Sequence, residues 1–411
     1  MAESAMQRLR QRARKSLSIS TTAADNGGGT GTRRVTLLED YKKIQCLTEA
    51  QFMRLYVLKR QVMESCHLGM EVRFATRISD GLEVVVKIKT KQVSDELERE
   101  WRSTAEVQLN FPRLDNICAF LDIIETKFHF YVIMEKVEGM DLFELMEHEK
   151  LQIGDAREIL HQIVQGLKDM HGLGRIHKDL KLENVMVDME APNRSLSPQS
   201  VGSSSFGQQS PTSPGVKLID FDTVQDWEPQ SPKSEYVHGT DRYIAPEAYS
   251  GIYSPASDMY CVGVIMYKLL TRRFPFPANI FDDKPGQNRA GSSAMRRIQE
   301  RLRNYKIDFS CWPLQDYPLA ADLCQKLLDW DPMVRPCAEE CLRHRWFHED
   351  LSPSESTTPV CQLPEKCSSS SPGQAVQGPH ANGHKQDAHR DPLLADQSRA
   401  LQQRIMALMK R

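Results

Sequence analysis

The sequence predicts an α+β protein of two lobes, a small strand-rich one followed by a larger, mainly helical one. Three observations carry that reading. Between about 55 and 137 the apolar residues fall in short β-branched or aromatic runs: Val84-Val85-Val86, Phe128-His129-Phe130-Tyr131-Val132-Ile133 and the stretch around Val72 and Phe74. After 140 the spacing turns helical, with Ile159, Leu160, Ile163, Val164, Leu167 and Met170 on one face of Asp155 to Met170. Asp258 to Leu270 is apolar nearly all round, the pattern of a helix buried in a core.

Taken in chain order, residues 1–36 read as a solvated tail: a basic cluster (Arg8, Arg10, Arg12, Arg14, Lys15), then Ser/Thr-rich sequence and Gly27-Gly28-Gly29. A tail is favoured over a localisation or docking signal. Order is expected to begin near Thr48, where Thr48-Glu49-Ala50-Gln51 reads as a capping box and Leu47 with Phe52 as a hydrophobic staple. The domain boundary is drawn after this start, with 1–53 as the mostly disordered tail and the folded domain from 54. One charged helix is expected from Ser94 to Leu109, with Ser94 as its cap. Residues 189–215 hold eight serines and four prolines between the strand-like Val185-Met186-Val187 and Val216-Lys217-Leu218-Ile219, which marks a disordered insertion. A second polar tail runs over 349–411. Its last stretch, Leu401 to Arg411, has the composition of a basic amphipathic helix, although a frayed end is favoured over a regulatory helix.

Composition narrows the function classes. The 411 residues suffice for two ordinary domains or one large bilobal one. Lys+Arg 53 against Asp+Glu 55 leaves a net charge of −2, so no global field points to nucleic acid or a membrane surface. No apolar run approaches the roughly 18 residues a bilayer span needs. Met1-Ala2-Glu3 opens neither a secretory core nor a myristoylation site, so a cytoplasmic or nuclear, non-secreted protein is expected. The ten cysteines contain no Cys-x-x-Cys pair, and Cys337 and Cys341 lack partners for a zinc set, so reduced thiols are expected. No internal repeat and no EF-hand loop is present.

The strongest chemical signal is His177-Lys178-Asp179-Leu180-Lys181-Leu182-Glu183-Asn184. A carboxylate, an ammonium two residues later and an amide three beyond suit phosphoryl transfer. The aspartate can orient a hydroxyl and accept its proton, the lysine can neutralise the moving phosphoryl group, and the amide oxygen can hold Mg²⁺. Alone, such a polar run could be a surface turn. Here it is followed in order by Ile219-Asp220-Phe221-Asp222 and Ala245-Pro246-Glu247.

With these motifs the sequence resembles the eukaryotic protein kinases, over roughly residues 54–348. Upstream, Val84-Val85-Val86-Lys87 looks like the strand bearing the ATP-binding lysine. Downstream, Asp258-Met259-Tyr260-Cys261-Val262-Gly263 resembles the helix whose aspartate holds the catalytic-loop backbone. Arg335 resembles the family's late arginine, partner of Glu247, and His344-Arg345-Trp346-Phe347 resembles the closing motif of calcium/calmodulin-dependent-type kinases. The resemblance implies the bilobal kinase fold, with a β-rich N-lobe (54–137) carrying one regulatory helix and a C-lobe (138–348).

It also implies roles. Asp179 would be the catalytic base and Lys181 the phosphate-contacting lysine. Lys87 would bridge the ATP phosphates and pair with Glu106, nineteen residues on, with Glu98 and Glu100 as competitors. Asp220 and Asn184 would hold Mg²⁺. Val72, Met134, Glu135, Val137 and Asp141 would surround the nucleotide, Met134 at the back of the adenine pocket and Asp141 at the ribose or a substrate arginine. Lys181 and Thr240 resemble the serine/threonine branch. Glu183 with Asp141 resembles an acidic pair that recognises arginines upstream of the phosphorylated residue, and Arg33-Arg34-Val35-Thr36 in the tail fits that preference.

Departures accompany the matches. The phosphate-covering loop, Ser65 to Val72, carries Ser65, His67 and Met70 at the three usual glycine positions, so its backbone should grip phosphate less closely. Asp222 replaces the glycine of the usual Asp-Phe-Gly. Lys178 replaces an arginine, keeping the charge but losing the bidentate fork for an activation-loop phosphate at Ser231, Ser234 or Tyr236. The expectation is an ATP- and Mg²⁺-dependent serine/threonine protein kinase, monomeric, acting on protein substrates. Four Ser-Pro pairs (at Ser197, Ser210, Ser213 and Ser231) invite proline-directed phosphorylation, and the C-terminal tail could bind a calmodulin-like regulatory partner. The alternative is a pseudokinase, an ATP-binding or scaffolding module on the same fold.

Overall fold

The computed structural model describes residues 42–63, 69–91, 101–102, 105–106, 108–189, 214–284 and 286–349. The expectations for residues 1–41, for Ser65 to Leu68, for Ser94, Glu98 and Glu100, for 190–213 and for 350–411 lie outside them.

The first elements are β1 (Gln45–Cys46), α1 (Glu49–Leu55) and the strands β2 (Tyr56–Met63), β3 (Met70–Arg77) and β4 (Glu83–Thr90). After helical residues between 101 and 109 come β5 (Phe120–Glu125) and β6 (His129–Glu135). The capping box forms: the Thr48 side chain accepts from the Gln51 amide at 3.2 Å, and the Gln51 side chain accepts from the Thr48 amide at 2.8 Å. Phe52 of α1 is fully buried and stacks on Tyr131 at 3.7 Å.

The helix expected after Thr48 forms, and the boundary drawn at 53 falls inside it. Phe52 belongs to the small-lobe core with Val84, Val86 and Ile133, and β1 pairs in parallel with β5, Gln45 opposite Ile124.

Six strands make one sheet in the order β1-β5-β6-β4-β3-β2. The period of two in β4 buries Val84, Val86 and Ile88 on one face and turns Val85 and Lys87 to the other. Register sets Lys87 between Val72 of β3 and Val132 of β6.

The larger lobe opens with β7 (Met140–Asp141), α2 (Leu142–His148) and α3 (Ile153–Gly172). Next come β8 (Arg175–Ile176), β9 (Val185–Asp188), β10 (Gly215–Leu218) and β11 (Gln225–Asp226). Helices α4 (Pro255–Thr271), α5 (Ser293–Asn304), α6 (Pro318–Leu327) and α7 (Ala338–Leu342) complete it. The all-round apolar helix is α4, started by Pro255 at a position whose N–H would have no partner in any case. It is buried from Met259 to Tyr267 without a break, against α3 and α6.

Strands β9 and β10 form an antiparallel hairpin with β7 on the outer side of β9. The insertion thus joins two paired strands, and its last residue, Gly215, already belongs to β10. Among the described residues no helix is long and apolar enough to cross a membrane.

Candidate active site

The loop from His177 to Asn184 leaves β8 and enters β9 through a 3-10 turn, Leu182–Asn184. Its shape is held by Asp258, at the start of α4 and 1% exposed. One carboxylate oxygen of Asp258 accepts from the His177 amide at 2.8 Å and from the His171 ring at 2.9 Å, while the other accepts from the Lys178 amide at 3.0 Å. Burial works to raise the Asp258 pKa, but these donors outweigh it and hold the group below the usual carboxylate range. Lys178 takes a left-handed φ of 71°, a conformation non-glycine residues seldom adopt, so the loop is held under strain by those bonds.

Asp179 follows, with its side chain 15% exposed. One oxygen accepts from the Thr240 hydroxyl at 2.9 Å, and the other lies 3.5 Å from the Lys181 ammonium, which also donates to the Thr240 oxygen at 3.3 Å. Burial pushes the Asp179 pKa up, with Lys181 and Thr240 opposing it, so the carboxylate is a stronger base than an exposed one. Asn184 donates its amide N–H to the Asp179 carbonyl at 2.8 Å. Its side-chain oxygen accepts no hydrogen bond among the described residues, which leaves it available to a cation.

Across the cleft, Lys87 lies 2.9 Å from Asp220 and 2.5 Å from Asp222. Burial works against the Lys87 charge, but Asp222 and Asp220 together more than offset it and raise the pKa. Asp220, at a left-handed φ of 61°, is in turn held down to about 2 by Lys87 despite its burial. Phe221 between the two aspartates is buried against His177, Phe120 and Phe111.

Glu106 is not brought to Lys87. Among the described residues the lysine's carboxylate partners are Asp220 and Asp222 alone, and Glu106 stands half-buried elsewhere. The reason is helix register. Ala105 is the residue packed into the cluster of Ile44, Leu109, Ile123 and Val132, and the next residue points about 100° away around the helix.

The same helical stretch supplies a contact that sequence reasoning missed. Buried Gln108 donates to the Phe221 carbonyl at 2.6 Å, tying the helix to the Asp220-Phe221-Asp222 segment. A polar residue at the end of an otherwise apolar helical face was the available signal.

Met134 and Glu135 end β6, with Met134 in register with Val85. The Glu135 amide donates to the Ala119 carbonyl at 3.0 Å, and its carboxylate binds Lys217 at 2.5 Å and the Ala119 amide at 2.8 Å. Its carbonyl lies 3.8 Å from the Cys118 thiol. Val137 is half-buried against the large-lobe core. Gly139 then turns the chain at φ 91°, where a Cβ would lie 2.0 Å from the Val187 carbonyl oxygen, so only glycine fits.

Asp141 caps α2, accepting from the Glu144 amide at 2.8 Å. Asp141 and Glu183 both have pKa values raised by burial, and one carboxylate oxygen of Glu183 is buried without a partner among the described residues.

Asp179 with its lysine and threonine neighbours, and the Lys87–Asp220 pair, set between a β lobe and a helical lobe, are the arrangement of a protein kinase fold. The protein kinase domain family matches residues 69–347, and the chain belongs to that family. It is 26% identical over 298 residues to hormonally up-regulated neu tumor-associated kinase homolog B of Xenopus laevis, a match covering 71% of this chain and 40% of that protein. It is 27% identical over 283 residues to CBL-interacting serine/threonine-protein kinase 13 of Arabidopsis thaliana, covering 67% of this chain and 48% of that protein. The chain thus spans less than half the length of these relatives.

Proposed function

We propose that this chain transfers the γ-phosphate of ATP to serine or threonine hydroxyls of protein substrates. The observation that carries the reading is the Asp179–Thr240–Lys181 cluster facing the Lys87–Asp220 pair. In this reading Asp179 accepts the proton of the substrate hydroxyl, whose oxygen bonds to the γ-phosphorus as the bond to the β–γ bridging oxygen breaks and ADP leaves. Lys181 offsets charge on the transferred group, and Lys87 holds the α- and β-phosphates.

The oxygen donors of Asp220 and Asn184 suit Mg²⁺ and would hold it. Magnesium would neutralise phosphate charge there. Val72, Met134 and Val137 would enclose the base, with the Glu135 carbonyl and Val137 amide as its backbone partners. The buried, unpaired oxygen of Glu183 beside Asp141 supports a preference for guanidinium groups upstream of the target residue.

The test is γ-phosphate transfer from Mg·ATP to a degenerate Ser/Thr/Tyr peptide library, with Asp179→Asn alongside. Transfer to Ser/Thr by the wild type alone is expected. Equal transfer by the variant would remove Asp179 from its role. Nucleotide binding without transfer by the wild type would favour the pseudokinase, for which the Asp222 contact to Lys87 is the supporting observation.

A further inference from the structure

We propose that Asp222 competes with nucleotide phosphates for the ammonium of Lys87, and so makes nucleotide binding depend on a divalent cation. The inference rests on the nucleotide site proposed above. Lys87 is 15% exposed and holds two carboxylates at once, Asp220 at 2.9 Å and Asp222 at 2.5 Å. Among the described residues one ammonium here meets two carboxylates, so the Lys87–Asp220–Asp222 group carries a surplus negative charge. A glycine at 222 would leave Lys87 and Asp220 balanced.

Metal-free nucleotide brings only negative charge to that group and must displace Asp222 from the lysine. A bound divalent cation cancels the surplus, so the obstacle falls when metal is present. The Asp222 side chain is 42% exposed, against 15% for Lys87. It can therefore swing toward water without leaving a buried charge unpaired, which suits a displaceable competitor better than a fixed support. Among the described residues no helix glutamate occupies Lys87 in its place.

The experiment is equilibrium binding of ADP by titration calorimetry, on the full chain, in EDTA and at saturating Mg²⁺. Wild type, Asp222→Asn, Asp222→Gly and Asp222→Glu are compared after thermal melts confirm folding. Asp222→Asn and Asp222→Gly are expected to bind metal-free ADP about tenfold tighter than wild type. With Mg²⁺ the gap should shrink to less than about threefold, and Asp222→Glu should follow the wild type. Equal or weaker metal-free binding by Asp222→Asn, with the wild type binding Mg·ADP normally, overturns this inference alone. Failure of every protein to bind ADP in either condition overturns the nucleotide site itself and this inference with it.

Discussion

The ammonium of Lys178 lies 4.6 Å from the centre of the Tyr253 ring, and the Gln225 side-chain oxygen accepts a hydrogen bond from it at 3.0 Å. Tyr253 in turn accepts from the His238 amide at 2.6 Å and donates to the His238 carbonyl at 2.9 Å. One cation therefore joins β11, ahead of Ser231, Ser234 and Tyr236, to Tyr253 beyond them, using an amide and an aromatic face where a phosphate could otherwise serve. Burial holds the Lys178 pKa down to about 8, with Asp258 opposing, so the group is still mostly charged at neutral pH.

This clasp should make activation-segment phosphorylation dispensable. We expect the triple variant Ser231→Ala, Ser234→Ala, Tyr236→Phe to keep at least about half of wild-type transfer, and Tyr253→Leu to lose about 1 kcal/mol of activation, or roughly fivefold in rate. Steady-state kinetics on phosphatase-treated protein checks both. A wild type silenced by phosphatase would contradict the expectation.

The pair Arg335–Glu247 is buried on both sides, with N–O distances of 2.7 and 2.8 Å, and Ser257 adds a hydrogen bond to the same carboxylate. Removing one member strands a buried charge. Arg335→Ala should cost about 3–5 kcal/mol in urea unfolding, far more than loss of the exposed pair Lys326–Asp322. Comparable midpoints for the two variants would show that the buried pair is not the stronger tie.

Asp179 carries a linkage sign worth measuring. Its folded pKa is raised by burial, so at neutral pH the folded state bears a charge it holds less well than the unfolded chain does. Asp179→Asn should therefore melt about 2 °C or more above wild type at pH 7, while being inactive in transfer. Below the unfolded carboxylate range both states of the wild type are protonated, and the difference should vanish. A variant less stable than wild type at pH 7 would mean that the bonds from Thr240 and Lys181 outweigh burial.

Glu183 has a buried carboxylate oxygen with no donor among the described residues, and Asp141 adds negative charge nearby. We expect Glu183→Gln to lower kcat/KM for peptides with an upstream arginine by about tenfold, with little change for peptides lacking it. Parallel losses on both peptide sets would assign Glu183 to holding the loop instead.

What could be read along the chain was what depends on neighbours in sequence. The β-branched run at Val84 to Val86 places Lys87 because strand period is local, and the spacing from His177 to Asn184 identifies the loop because its residues act within one turn. The capping box at Thr48 was visible for the same reason. The two-residue strand at Gln45–Cys46 carries no such signal. It exists because the edge of β5 offers open backbone groups for it to pair with.

The sequence by itself determined the two-lobed class, the family motifs and the order in which they occur. Only the tertiary structure decided which charges meet. Among the described residues Lys87 takes Asp220 and Asp222 rather than Glu106, because Ala105 is the residue packed in the cluster with Ile44 and Val132, which turns the next side chain away. Gln108 reaches Phe221, and Lys178 reaches Tyr253, across 113 and 75 residues of chain. Such contacts depend on how helices and sheet pack in three dimensions, and no local spacing encodes them.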